Sequence, residues 1–137
     1  MTSTDAPEIE GVYKLVAVER DGEMRPSMKL STGKATYPSA KSVRRVAQDG
    51  TYTHDLLTLK DESSRGEEQL VSIVEDGELV YEFPDLPTIR ETTRRNRRKI
   101  PTVTRRIEDA DPYDVRISPE LDTQMTELRH EIEREMG

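Results

Sequence analysis

Three lysines, several hydroxyl groups and a glycine lie close together between residues 29 and 41. The chain reads Lys-Leu-Ser-Thr-Gly-Lys-Ala-Thr from Lys29 to Thr36, and Lys41 follows shortly after. Ammonium and hydroxyl groups are donors that suit phosphate oxygens, so this spacing predicts a phosphate-binding loop. It is not a Walker motif, because that motif needs two glycines at fixed spacing and only Gly33 is present. The alternative is an ordinary polar connection between two strands.

A second group of charged residues lies between Arg90 and Arg106. It holds eight basic residues against one acid, Glu91, so its net charge is +7 while the whole chain has −7 and the remainder therefore −14. Basic residues at helical spacing can neutralise the phosphates of nucleic acid. However, no aromatic residue is interleaved for base stacking. We therefore expect the segment to pair with acidic surfaces of its own fold or of a partner, and not with nucleic acid.

No other residues suggest a catalytic centre or a metal site. His54 and His130 are the only histidines, and neither has further ligands at a suitable spacing. There is no Gly-x-Ser-x-Gly motif, and the carboxylates are too dispersed to nominate a catalytic pair. From the residues alone, we expect no catalytic residue and no metal in this chain.

Composition narrows the class of protein. A chain of 137 residues is about the commonest domain size, but 32% hydrophobic and 4% aromatic residues indicate a thin core. No apolar run is long enough for a transmembrane helix, and no signal peptide is visible. With no cysteine in the sequence, we expect a cytoplasmic location. The 28 acidic residues, with lysine as a minority of the 21 basic ones, favour a halophilic source.

Three Asp-Gly pairs, at 21–22, 49–50 and 76–77, predict three β-hairpins, because each lies between β-prone runs. The predicted strands pair 12–18 with about 28–30, 42–47 with 52–59, and 70–74 with 79–83. The polar stretch 60–68 is predicted to be a surface loop.

After Pro84 the pattern becomes helical. A helix is predicted over 88–98, between Pro87 and Pro101, followed by a turn at 109–112 and a strand at 113–117. Ser118 then caps a helix that has an apolar stripe. We expect this stripe to pack on the domain's own sheet, with partner binding as the alternative. The stripe residues are Leu121, Met125, Leu128, Ile132 and Met136.

These elements predict an α+β fold, in which three antiparallel hairpins are followed by C-terminal helices. Residues 1–137 are predicted to be a single domain that is β-rich over about 11–83 and mainly helical over 87–137.

Several blocks of the sequence resemble the C-terminal portion of the nicotinate phosphoribosyltransferase family. They are Val-Tyr-Lys-Leu-Val at 12–16, Lys-Leu-Ser at 29–31 and Gly-Lys-Ala-Thr-Tyr-Pro at 33–38, in that order. The ending Tyr-Asp-Val-Arg-Ile-Ser at 113–118, with the helix after it, is also similar to that of the family. One departure is Pro38-Ser39-Ala40, where many family members have Pro-Gly, so an altered turn is expected there.

The resemblance implies an enzyme that forms nicotinate mononucleotide from nicotinate and phosphoribosyl pyrophosphate in NAD salvage, with ATP hydrolysis and Mg²⁺. In that family the catalytic histidine and the glycine-rich phosphate loop lie upstream of the matching segment. The chain alone is therefore expected to be inactive, and the implied partner is the missing N-terminal catalytic portion. The residues expected nearest the substrate phosphates are Lys29, Ser31, Lys34 and Lys41. The alternative is a stand-alone, non-catalytic binding module derived from this domain.

Overall fold

The structure, a computed structural model, describes residues 13–30 and 36–136. Within these ranges the chain forms eight strands and two helices, and it has the α+β fold that the sequence predicted. In chain order the elements are β1 (Ala17–Arg20), β2 (Glu23–Pro26), β3 (Lys41–Gln48), β4 (Thr51–Leu59), β5 (Glu67–Glu68), β6 (Val74–Glu75), β7 (Glu78–Leu79), α1 (Leu86–Lys99), β8 (Val115–Ile117) and α2 (Pro119–Met136).

The first hairpin is confirmed, but its second strand was predicted in the wrong place. β1 pairs antiparallel with β2, so the strand begins at Glu23 and not near residue 28. The physical reason is the turn, in which Asp21 has a φ of 54° and Gly22 a φ of 79°. Such a two-residue turn makes Arg20 pair directly with Glu23. Part of the predicted first strand lies outside the described residues.

The central sheet has the strand order β5-β3-β4-β8. β3 and β4 pair antiparallel along their whole length around Asp49-Gly50, which confirms the second predicted hairpin. β8 lies parallel to β4, with Asp55 opposite Val115. The prediction of a surface loop over 60–68 is wrong at its end, because Glu67–Glu68 form β5, which pairs antiparallel with β3. The Ser42 hydroxyl also donates a hydrogen bond to the Glu68 carboxylate there.

The third hairpin forms at Asp76-Gly77, as predicted, but its strands are much shorter than predicted. Only Val74–Glu75 and Glu78–Leu79 pair as strands, and one further bond joins the Val80 N–H to the Ile73 carbonyl at 2.9 Å. Among the described residues, this hairpin is a separate two-stranded sheet with no third strand beside it. An isolated two-stranded ribbon is marginally stable, which explains why the pairing stops early.

Both predicted helices are confirmed, and so is the Ser118 cap of the second; the cap of the first helix was not predicted. The Asp85 carboxylate accepts a hydrogen bond from the Thr88 N–H at 2.9 Å and caps α1, as short polar side chains do at helix starts. Ser118 caps α2, since its hydroxyl accepts from the Leu121 N–H at 3.2 Å. In the described part of the chain, neither helix is long and apolar enough to cross a membrane.

The core is small and lies where α2 packs against β4. Leu121 is fully buried, and Tyr52 and Met28 are the other buried hydrophobic residues in the described ranges. The fully buried Leu121 lies in the helix that packs against β4, which agrees with the expected packing of the stripe on the domain's own sheet. The described stripe residues after Leu121 are half-buried. The assignment of residues 1–137 to a single domain stays a prediction.

Candidate functional site

The predicted phosphate loop is only partly described. Ser31 and Lys34 lie outside the described residues. Lys29 is exposed, and its backbone N–H donates to the Thr36 hydroxyl at 3.2 Å, which ties the two ends of the loop together. The proximity of Lys29, Ser31, Lys34 and Lys41 to substrate phosphates therefore stays a prediction.

Lys41 has an intramolecular role that the sequence did not reveal. Its ammonium group donates to the backbone carbonyls of Tyr37 at 2.8 Å, Pro38 at 3.2 Å and Ser39 at 2.6 Å. Burial lowers the pKa of this amine. All three N–H donors are thus engaged in this structure. The turn they hold contains Ser39 at a φ of 63°, where the sequence departs from the family's Pro-Gly.

A pocket that the sequence analysis missed lies between the central sheet and the C-terminal end of α1. Its volume is about 320 Å³, and its lining combines arginines with two tyrosine rings. The segment that follows α1 closes one side. The lining residues are Arg45, Tyr52, Arg97, Ile100, Thr104, Arg105 and Tyr113.

One side of this pocket is a fixed ion pair. Arg45 donates from Nε to Asp55 Oδ1 at 2.8 Å and from Nη2 to Asp55 Oδ2 at 2.7 Å. The Tyr113 hydroxyl donates to the same carboxylate at 3.2 Å. These hydrogen bonds, led by those from Arg45, hold the pKa of Asp55 below its ordinary value, while burial raises the pKa of Tyr113. The pair thus fixes the plane of the Arg45 guanidinium.

Tyr52 joins this side of the pocket to α1. The Arg45 guanidinium carbon lies 5.1 Å from the centroid of the Tyr52 ring, and the Lys99 ammonium lies 5.4 Å from it. At these distances the ring face attracts both cations. The Tyr52 hydroxyl donates to Asn96 Oδ1 at 3.2 Å. Asn96 and Lys99 are close enough in the chain to share a helix face, which is the one signal in the sequence that could have indicated this contact.

A second surface stands out for its exposed apolar residues, and we call residues 70–89 the apolar arm. The arm comprises the segment before the β6–β7 hairpin, the hairpin itself, the segment after it and the first turn of α1. Tyr81 and Phe83 pack edge to face within it, with ring centroids 5.0 Å apart. Large apolar patches on soluble proteins usually mark interaction surfaces. Its exposed hydrophobic side chains are Leu70, Val71, Ile73, Val74, Leu79, Val80, Phe83, Leu86 and Ile89.

The two histidines do not form a metal site. The His54 ring nitrogen Nδ1 lies 3.0 Å from the Thr53 hydroxyl, and His130 is exposed on α2. Within residues 13–30 and 36–136, no group of three or more His, Asp or Glu side chains is placed to hold a metal ion.

The fold and its surfaces define a small α+β domain with a thin core, an arginine-tyrosine pocket and an exposed apolar arm. Residues 63–126 match the sequence profile of the nicotinate phosphoribosyltransferase C-terminal domain. The nicotinate phosphoribosyltransferase pncB2 of Mycobacterium tuberculosis is 31% identical over 132 residues, which cover 95% of this chain. The nicotinate phosphoribosyltransferase of Bacillus subtilis is 26% identical over 159 residues, covering 96% of the chain.

The same family appears among solved structures. The crystal structure of human nicotinic acid phosphoribosyltransferase shares the fold with a TM-score of 0.62, at 21% identity, over 68% of this chain and 23% of the human one. Together, these matches show that the chain is similar to the C-terminal portion of nicotinate phosphoribosyltransferases, which confirms the resemblance. The chain spans 28% and 32% of the lengths of the Mycobacterium and Bacillus relatives.

Proposed function

We propose that this chain acts as the C-terminal domain of an enzyme that forms nicotinate mononucleotide from nicotinate and phosphoribosyl pyrophosphate, with ATP hydrolysis, in NAD salvage. The observation that carries the proposal is the 31% identity to the Mycobacterium relative across 95% of the chain. ATP, Mg²⁺ and both substrates belong to the complete enzyme. The catalytic residues belong to the portion of the enzyme that this domain joins.

The apolar arm supports the proposal, because it is the surface that such a domain would place against the rest of the enzyme. Leu79 and Phe83 are each 65% exposed, and Leu86 is 67% exposed. Removal of apolar surface from water is the main favourable term in protein association. Docking of the arm on the catalytic portion would bury these side chains, and it would supply the packing that the short β6–β7 hairpin lacks.

A chimera tests this proposal. The segment of the Mycobacterium relative that matches this chain would be replaced by the chain itself, and nicotinate mononucleotide formation would be assayed. We expect the chimera to form product, while the relative lacking that segment and the chain alone form none. A folded chimera without activity would overturn the proposal and favour the stand-alone binding module.

A matched pair of substitutions in the chimera tests the role of the arm. Phe83→Asp places a charge on the docking surface and should abolish or strongly reduce product formation. Ile107→Asp makes the same kind of change at a fully exposed position outside the arm and should leave product formation unchanged. Equal loss in both variants would contradict the assignment of the arm as the docking surface.

We also propose a cytoplasmic location and a halophilic source. The net charge of −7, with 28 acidic residues, supports the second of these. In an acidic protein the excess negative charges repel one another at low salt, which destabilises the folded state. Salt at high concentration screens this repulsion. The free energy of unfolding should therefore rise as KCl is raised from dilute to molar concentration, and a flat or falling dependence would count against a halophilic source.

A further inference from the structure

We propose that the pocket between the sheet and the end of α1 binds a mononucleotide-like ligand, meaning a phosphate group joined to a flat ring. The proposal goes beyond the transferase assignment and does not depend on it. It rests on the charge, the shape and the rigidity of the pocket lining.

The positive charge around the pocket favours binding of an anion. Arg97 and Arg105 line it, and Lys99 lies beside it on Tyr52. Among the described residues, none of these three cations has a carboxylate within 4.0 Å. In the described part of the chain, Asp55 is the one acid whose carboxylate accepts hydrogen bonds from lining residues, and Nε and Nη2 of Arg45 already donate to it. Arg105 also donates to the Thr102 hydroxyl at 3.2 Å. A phosphate is a ligand group that several cations without a carboxylate partner recognise well at one opening.

The rest of the lining suits a flat ring. Tyr113 is half-buried and Ile100 also lines the pocket, so the lining includes an aromatic ring and an aliphatic side chain. Arg45 is held 5.1 Å from the Tyr52 centroid and 6.0 Å from the Tyr113 centroid, and its bidentate bond to Asp55 keeps its plane fixed. Guanidinium planes and tyrosine faces both stack on flat, unsaturated rings.

The size of the pocket limits the ligand to a small molecule. Its volume is about 320 Å³. That value lies at the lower end of the range that small-molecule sites occupy. The chain as a whole has a net charge of −7, which opposes binding of a long polyanion. A single free nucleotide unit therefore fits better than a nucleic acid strand.

Titration of the full chain with AMP tests the proposal, with amide chemical shifts as the readout for position and calorimetry for affinity. We expect saturable shifts at residues 45, 52, 97–100, 102–105 and 113. Adenosine, which has the ring without the phosphate, and ribose 5-phosphate, which has the phosphate without the ring, should each bind more weakly than AMP.

Substitutions at the opening separate this site from general attraction to a basic helix. Arg97→Gln and Arg105→Gln should each weaken AMP binding about tenfold, because each removes one charge-assisted contact. Arg98→Gln is the matched control: Arg98 is exposed on the same helix but does not line the pocket, so its loss should change affinity less than about twofold. All three positions are exposed, so the variants should melt like the parent.

Three results would overturn the proposal. The first is that Arg98→Gln weakens binding as much as Arg97→Gln. The second is that adenosine binds as tightly as AMP. The third is that millimolar AMP causes no shifts at the pocket residues. None of these measurements uses transferase activity. A failure of the pocket proposal is therefore distinguishable from a failure of the proposed function.

Discussion

The β3–β4 hairpin and the β6–β7 hairpin have the same turn and very different strands. Asp49-Gly50 has φ values of 50° and 77°, and Asp76-Gly77 has 49° and 82°. Yet β3 and β4 pair over eight and nine residues, while β6 and β7 pair over two each. The turn residues therefore start a hairpin, but they do not determine how far it extends.

The surroundings of the two hairpins explain the difference. β3 and β4 have β5 and β8 at their outer edges, and α2 packs against β4. The described residues place no strand beside β6 or β7, and every hydrophobic side chain of that hairpin is exposed. The sheet is thus stabilised within this chain. The arm lacks packing that, under the proposed function, the catalytic portion of the enzyme supplies.

Truncation of one leucine in each region should give the largest difference between the two regions in the loss of unfolding free energy. Leu121 is a fully buried side chain of the core, so Leu121→Ala should lower the free energy of unfolding by about 3 kcal/mol. Leu79 in the arm is already exposed. Leu79→Ala should therefore leave the free energy of unfolding almost unchanged, as surface substitutions usually do. Urea unfolding measures both, and similar losses would mean that the arm is packed in the isolated chain.

Substitution of one glycine in each region by alanine should give the next largest difference in stability cost. A Cβ at Gly66 would lie 2.9 Å from the Arg45 carbonyl oxygen, at a φ of 107° that other residues avoid. Gly66→Ala should therefore cost about 2 kcal/mol or more and loosen β5 from β3. At Gly77 nothing lies within 4 Å, so Gly77→Ala should cost only the backbone strain of about 1 kcal/mol. Thermal melts compare the two, and equal costs would contradict the close approach at Gly66.

The partly buried Arg45–Asp55 ion pair of the sheet should make the free energy of unfolding depend on pH. The pKa of Asp55 is held below its ordinary value of 3.8, chiefly by the hydrogen bonds from Arg45. The unfolded chain therefore takes up this proton first as the pH falls. The contribution of Asp55 is complete above about pH 5 and is lost as the pH falls through the folded pKa.

Comparison with Asp55→Asn isolates this contribution. At pH 7 the free energy of unfolding of the variant should be lower than that of the parent by about 1 kcal/mol or somewhat more. This difference should become smaller at acid pH. Asp114→Asn serves as the control, because it removes an exposed ion pair with Arg116. Exposed pairs contribute little, so this control should cost less than the Asp55 variant at pH 7. A gap that stays constant down to acid pH would contradict the role given to the Arg45–Asp55 pair.

The smallest expected effect concerns the turn that Lys41 holds. Ser39 has a φ of 63°, and this conformation costs a serine about 1 kcal/mol relative to glycine. Ser39→Gly should therefore stabilise the chain by up to about 1 kcal/mol, reduced by the greater freedom of glycine in the unfolded state. Chemical denaturation measures it. A loss of stability would show that the serine side chain is needed there.

The sequence predicted the elements that depend on local chemistry. The Asp-Gly turns, the Ser118 cap and the α2 stripe all depend on residues near one another in the chain. The second strand of the first hairpin was misplaced because the β-prone character of residues 28–30 outweighed the pairing that the tight turn imposes. β5 was missed because Glu67 and Glu68 pair with β3, which lies far away in the chain.

The candidate sites were harder to predict for the same reason. The lysine loop was noticed because its residues are close together in the sequence, but the position of Lys41 depends on three carbonyls that only the folded turn brings together. The pocket brings Arg45 and Tyr52 from the sheet, Arg97 from α1 and Tyr113 from the segment before β8. No local pattern joins these positions.

Hydrogen exchange measured in the isolated chain and in the active chimera tests the central claim most directly. The amides of residues 73–80 should exchange rapidly in the isolated chain and become protected in the chimera, while those of residues 41–59 should be protected in both. This result would show that the arm is stabilised by the catalytic portion. Arm amides that are already protected in the isolated chain, or that still exchange rapidly in a chimera that forms product, would contradict the claim.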